Sequence, residues 1–429
     1  MVNIFSRKPP PEPPRPSPRP RPVEQPPIVV RRSVVESGDA AALVQAVVDY
    51  VNAMMQQGQY RRDELAPQAM WSYRTDYYIA QVTNGGHGQF VGNSRWAQPI
   101  IDHVRNGLAA MSAAPCDSIF DDLCKLVASD SQRAKAIADG RGFGDISPAI
   151  KALDDRFFAA KCYEAITPAN AAWLRTLPNL EVVDDARFAE RMRELFRANP
   201  LLALRTQQAE RAKLEFALTD PMQVAARLLA VASRRLPFRF ISHGNHDKAP
   251  DGREGMAWMI ALGQGQARMF VFDDVAILCD VQLPDGRTIS PELRAEHDKL
   301  LKAGDFEHLK LYNHLTNVEV SRIPVSLITE AREAAAKHPV VTAAQLLVRK
   351  LSKDEKVVSI SPASKHNSGA MLWLVETAQR VGVLGFANGG ATLLKPGGEP
   401  LAVLSPAELE TAVFFEQKMH DGNVTSGQG

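Results

Sequence analysis

The segment Gly244-Asn245-His246-Asp247 sets a carboxamide, an imidazole and a carboxylate in succession directly after the strand-like run RFIS. Those are metal-ligating groups, and a pair of metal ions can activate water against a phosphate ester. A two-metal centre needs further carboxylate and imidazole ligands from other strands, yet none of the ten histidines has an aspartate two residues before it. The same four residues also suit a polar β-turn. A second cluster, Ser364, Lys365, Asn367 and Ser368 in SPASKHNSG, lies between a strand-like run and an apolar run that reads as a helix from about Ser368 to Val381. Free amides at a helix N-terminus, with a lysine beside them, favour a phosphate or nucleotide. Asn367 or Ser368 would equally serve as a plain helix cap.

These segments need elements to hold them. The first half of the chain reads as helical, with Leu43, Val44, Val47, Val48 and Val51 recurring at three- and four-residue spacing. Thr167-Pro168 and Asp220-Pro221 both look like a cap followed by proline at the first helical position. From Pro237 the pattern changes to short apolar or alternating runs, FRFISHG, MAWMIALG, ARMFVF and VAILCDVQL, which predict an antiparallel meander. LPDGRT is a turn, Ser290-Pro291 opens a helix, and the runs VVSIS, VLGFA, ATLLK and LAVLS precede a final helix with the capping box Ser405-x-x-Glu408. The glycine-rich stretch from Gly385 to Pro400 predicts hairpin turns, and no internal repeat is evident. The expected fold is α+β: an all-helical N-terminal domain, then a mixed, antiparallel-sheet α+β region.

Residues 71–93, WSYRTDYYIAQVTNGGHGQFVGN, run from an aromatic helix through a glycine turn into a second polar-aromatic segment. With LDDRFFA at 153–159, this resembles a bacterial family named for a DNA-mimic protein, over about residues 40–175. Members show an Asn-Gly-Gly turn, a Gln-aromatic pair, an Asn, and a later Leu-Asp-acidic-x-aromatic-aromatic segment. The matching positions here are Asn84, Gly85, Gly86, Gln89, Phe90 and Asn93, then Leu153, Asp154, Phe157 and Phe158. His87 departs from the family, which usually has an aromatic residue there. Asn-Gly-Gly tolerates positive φ, so one helix can end and the next segment return across it, with Gln89 and Asn93 capping backbone groups. His87 is expected to be a hydrogen-bonding surface residue, and His87, Gln89 and Asn93 to form part of a protein-binding surface.

Composition limits the partner. Lys+Arg 50 against Asp+Glu 49 gives a net charge of +1, which argues against nucleic-acid binding over a whole face. Mimicry of DNA needs an acidic excess, and only local clusters, Asp117, Asp121 and Asp122, or Asp154 and Asp155, offer one. The resemblance instead implies a bacterial, non-enzymatic protein that binds another protein, with no cofactor. The alternatives are a phosphoesterase at Asn245, His246 and Asp247, or an anion sensor at 364–368. No apolar stretch is long enough to span a membrane and no signal core opens the chain, so a cytoplasmic location is expected. Cys116, Cys124, Cys162 and Cys279 form no CxxC pair and read as reduced thiols. Eleven prolines between Pro9 and Pro27, interleaved with arginines, predict an extended arm able to meet a PxxP-reading domain or an anionic surface. The expected boundaries are a disordered arm 1–33, a helical domain 34–180, a helical connector 181–235, an α+β domain 236–420 and a disordered tail 421–429.

Overall fold

The structure is a computed structural model that describes residues 25–129, 148–263, 265–282, 295, 299 and 316–424. The chain divides into two compact units, Met1–Thr206 and Gln207–Gly429. The expected connector is therefore shared between them.

The first unit is built from a short strand pair and a set of helices. β1 (Ile28–Arg31) pairs in parallel with β2 (Leu180–Val183), Ile28 opposite Leu180 and Arg31 opposite Val183. Val29 is fully buried, so the segment from Ile28 belongs to the fold rather than to the arm. Residues 1–24 lie outside the described residues, as do LPDGRT, Ser290-Pro291 and residues 425–429. The helices are α1 (Arg32–Glu36), α2 (Ala40–Gln56), α3 (Pro67–Ser94), α4 (Gln98–Ala110), α5 (Cys116–Ser129), α6 (Pro148–Ala159), α7 (Cys162–Leu174) and α8 (Asp185–Ala198). Asp39 caps α2 by accepting from the amides of Ala41 and Ala42, which fixes where its apolar stripe begins. That stripe, Leu43, Val47, Tyr50 and Val51, forms one core with β1, Leu174 and Leu195. A second core gathers Tyr78, Phe90, Val104, Phe120 and Phe157 from α3 to α6.

Two expectations fail here. α7 starts at Cys162, so Pro168 sits inside it rather than at its first turn. Cys116 and Cys162 are joined in a disulfide with their Cα atoms 5.7 Å apart, where reduced thiols were expected. The two lie 46 residues apart in sequence and meet because α5 and α7 begin side by side, which no spacing rule reveals.

The second unit takes most of α9 (Leu202–Thr219), then α10 (Pro221–Ala232), capped as expected by Asp220, which accepts from the Gln223 amide. Two five-stranded antiparallel sheets follow. One runs in the order β3 (Phe238–Lys248), β4 (Glu254–Leu262), β5 (Gly265–Val271), β6 (Val275–Gln282), β7 (Thr316–Pro324). After α11 (Val325–Lys337) and α12 (Val340–Leu351), the other runs β8 (Val357–Lys365), β9 (Met371–Thr377), β10 (Val381–Ala387), β11 (Gly390–Leu394), β12 (Pro400–Leu404) and is followed by α13 (Pro406–Val424). The expected helix at 368–381 is thus a strand: Met371, Trp373 and Val375 alternate inward while the residues between them stay half-buried. Because the run is apolar on both phases, its sequence hides the period of two. The capping box forms, Glu408 accepting from the Ser405 amide and Ser405 from the Glu408 amide.

This unit carries an internal repeat. Pro221-Met-Gln-Val-Ala-Ala-Arg-Leu-Leu opens α10 and Pro339-Val-Val-Thr-Ala-Ala-Gln-Leu-Leu opens α12, each before a five-stranded meander. The sheet register repeats as well. Trp258 pairs Met269, which pairs Leu278, and Trp373 pairs Leu384, which pairs Leu393. The β5–β6 turn Asp273-Asp274 corresponds to Asn388-Gly389 between β10 and β11, where both residues have the positive φ of a tight hairpin turn (50° and 78°). The repeat is hard to see in the sequence because a buried strand requires only apolar type at alternate positions, a pattern that many short runs satisfy. Ala225, Ala226, Leu229, Ala276 and Leu278 share one core with Ala343, Ala344, Leu347, Ala391 and Leu393.

Candidate functional site

The Asn-Gly-Gly segment breaks α3. Gly86 takes φ +75°, closed to most residues bearing a Cβ, while Gly85 is extended with φ −161°. The helix resumes at His87 and folds back on its first half. Asn93 donates to Gln81 Oε1 at 2.5 Å and Gln89 donates to the same atom at 3.0 Å. An unbroken helix would hold residues 81 and 93 about 18 Å apart. Phe90 packs edge-on against Tyr78 with centroids 5.1 Å apart. Gln89 and Asn93 therefore bind a side chain across the corner rather than capping backbone as expected, and Asn84 joins them with a 3.4 Å bond to Gln89 Oε1.

His87 is completely buried, which corrects its expected place on the surface. Its backbone N–H donates to Asp154 Oδ1 at 2.7 Å, and its Nδ1 lies 2.6 Å from the same oxygen. On the other side Nε2 is 2.9 Å from the Tyr78 hydroxyl. Burial pushes the Asp154 carboxyl up, but the hydrogen bonds from the His87 ring and backbone pull it further down, so it is ionised and can only accept. Nδ1 therefore carries the proton towards Asp154, and Nε2 faces the Tyr78 hydroxyl. Burial holds the Tyr78 hydroxyl far above its ordinary range, leaving it a neutral donor. The chain hydroxyl–imidazole–carboxylate has the atoms of a proton relay. With Tyr78 and His87 both at 0% exposure, its place is in the core, where it supplies the amide cap at the corner.

Asp154 also packs against the corner directly, since a Cβ added at Gly86 would lie 2.5 Å from its Oδ2. The two motifs that carry the family resemblance are thus one structure. Leu153 and Phe157 fill the core beside it. Phe158 does not: it is 43% exposed and meets Tyr163, itself 39% exposed, with ring centroids 6.1 Å apart at the α6–α7 bend. Lys151, Asp155, Lys161 and Glu164 carry charge on the same two helices and the turn between them, in the pairs Lys151–Asp155 and Lys161–Glu164. Position 158 stood in the motif, but nothing in its spacing set it apart from Phe157.

The acidic clusters are largely matched by the chain's own cations. Arg105 reaches Asp121 at 3.5 Å, and Asp122 is held by Arg156 at 2.9 Å and Lys125 at 3.1 Å. Those two bonds hold Asp122 below the usual carboxylate range, while burial and the neighbouring Asp121 charge push Asp117 up.

The other predicted clusters are placed differently. Asn245, His246 and Asp247 lie within β3, not in a turn, so His246 points to the opposite face from its two neighbours. Asp247 is engaged by Arg268 and by Asn317 Nδ2 at 3.1 Å, so its carboxylate serves the sheet. Among the described residues no three His, Cys, Asp or Glu side chains gather as a metal site. Ser364 and Lys365 end β8, and Asn367 and Ser368 form the β8–β9 turn, where Ser368 N–H donates to His366 Nδ1 at 3.2 Å and Gly369 has φ +85°. Lys365 is paired with Glu330. No helix begins there, so the amide array required for the anion reading is missing.

The first unit is thus a helical module keyed by a carboxylate at a glycine corner, with an aromatic pair exposed beside it. Residues 63–177 match the family model described as DMP19-like protein, a DNA-mimic family, and so the resemblance read from the two motifs holds over that segment. Neither the search of curated proteins nor that of solved structures yields a match. Among the described residues no helix is long and apolar enough to cross a membrane.

Proposed function

We propose that the helical unit acts by binding another protein, without catalysis, through the surface centred on Phe158 and Tyr163. One observation carries this reading: of the four positions in the second motif, Leu153, Asp154 and Phe157 have packing roles, and Phe158 spends a large aromatic ring on solvent. Aromatic residues with a charged rim are the usual anchors of a protein interface. The family match supports a binding role of this kind. Binding by phosphate mimicry finds less support, because Asp121, Asp122 and Asp155 are paired with Arg105, Arg156, Lys125 and Lys151.

The test is a photo-crosslinking residue placed at position 163 in the full chain, expressed in its native host. One partner should be captured, and the Phe158→Ser change should abolish capture with the circular dichroism spectrum unchanged. Undiminished capture by the Phe158→Ser protein would sink the proposed surface.

A further inference from the structure

The two repeats of the second unit can be compared position by position. Asp274 corresponds to Gly389, and just beyond them Ala276 pairs Ile323 as Ala391 pairs Leu404. Counting forward from those strand partners, Ile328 of α11 corresponds to Leu409 of α13, both buried, and Arg332 corresponds to Val413. Counting back from Pro221 and Pro339, Thr219 corresponds to Lys337.

In the first repeat Arg332 closes the space between its helix and the start of α10, where its Nε donates to the Thr219 carbonyl at 2.6 Å. The second repeat lacks this latch. Val413 has no donor, Gly389 has no side chain where the first repeat has Asp274, and among the described residues no side chain bonds the Lys337 carbonyl. The same frame therefore holds an open cavity of about 570 Å³, lined by Leu409, Val413 and Phe414 of α13 and by Lys337, His338 and Pro339 at the α11–α12 junction. The His338 ring is held flat against Phe386, with centroids 4.7 Å apart.

Glu410 lines the cavity as well. Its neighbours on α13 are committed, Glu408 to Lys350 and Glu416 to Arg211. Among the described residues neither the Glu410 carboxylate nor the Lys337 ammonium has an ion-pair partner, and the two do not pair with each other.

We propose that this cavity binds an α-amino acid with a large apolar side chain, its carboxylate at Lys337, its ammonium at Glu410 and its side chain against Leu409, Val413 and Phe414. The volume falls within the roughly 300–1,000 Å³ of small-ligand sites, whose usual lining is an apolar wall with a few convergent polar groups. A zwitterion matches a cation and a carboxylate that are held apart, whereas an amine or an acid alone leaves one of them without a charge-assisted bond. The site lies wholly in the second unit and is independent of the Phe158 surface.

The experiment is a calorimetric titration of the full chain with L-phenylalanine as the probe. Saturable binding is expected, and phenethylamine and hydrocinnamate, which each lack one of the two charges, should bind about tenfold more weakly. Lys337→Met and Glu410→Gln should each cost a similar factor in affinity for phenylalanine. Val413→Arg supplies the latch of the first repeat and should abolish binding with the circular dichroism spectrum unchanged. Absence of saturable binding overturns the proposal, as does either analogue binding as tightly as phenylalanine. So does an unchanged affinity in Val413→Arg or, should that variant not fold, in both Lys337→Met and Glu410→Gln.

Discussion

Asp154 accepts two hydrogen bonds from a single residue, His87: one from the ring at 2.6 Å and one from the backbone N–H at 2.7 Å. A carboxylate on α6 thereby caps the restarted half of α3 and fixes the orientation of a buried imidazole. Removing it leaves a buried amide and a buried ring nitrogen unpaired. Asp154→Ala should cost about 2–4 kcal/mol of stability, on the scale of an orphaned buried polar pair. Chemical denaturation of the two proteins at neutral pH measures it, and a loss below half a kilocalorie would show that the cap does not matter.

The same pair sets a pH dependence. The folded carboxyl titrates below its ordinary range, so the stability it contributes is complete above the unfolded value of about 4 and is lost as pH falls through the lower folded value. Denaturation midpoints measured from pH 6 down to pH 2 should fall more steeply in the natural protein than in Asp154→Asn, which has no charge there to lose. Parallel curves would contradict the assignment of the shift to His87.

Gly86 and Gly85 should separate. Ala at Gly86 meets both an unfavourable φ of +75° and Asp154, which is backbone-fixed through α6 and already bonded. Ala at Gly85 meets Gln89 on an extended backbone, closest to the amide end, which can swing aside, with the Gln89 Cβ 3.2 Å away. Gly86→Ala should lower stability by about 1–3 kcal/mol and Gly85→Ala by clearly less. Equal melting temperatures for the two variants would mean the corner does not depend on its left-handed residue.

Thiol counting checks the Cys116–Cys162 bond. Unfolded without reductant, the protein should bind two equivalents of a thiol reagent, at Cys124 and Cys279, and four after reduction. Closing a loop of 46 residues should be worth about 4 kcal/mol by the chain-entropy relation, so reduction should also lower the melting temperature. Four reactive thiols before reduction would rule out the Cys116–Cys162 bond.

Each of the two units has its own core, Val47 and Tyr78 with their neighbours in one, Leu229 and Leu278 in the other. Calorimetry should therefore resolve two transitions, and Asp154→Ala should shift only one of them. A single transition moved as a whole by that change would show that the units unfold together.

What the sequence determined by itself was local. The stripe of α2, the Asp220 and Ser405 caps, the meander from Phe238 and the glycine corner at 84–86 all depend on residues a few positions apart, where period and backbone tolerance act directly. Both motifs of the helical unit were visible too. Only the tertiary structure joined them, because the bond from His87 to Asp154 spans 67 positions and its strength depends on burial that no local pattern encodes. The same holds for Phe158 against Phe157: two identical side chains in succession, one in the core and one in solvent, separated by the 100° turn of a helix whose facing had yet to be set. The burial of His87 is hidden from the sequence for the same reason, since a polar side chain can be buried only where a partner waits for it, and the partner comes from another helix. The strand at Met371 and the cysteine pair were decided the same way, by what each segment packed against.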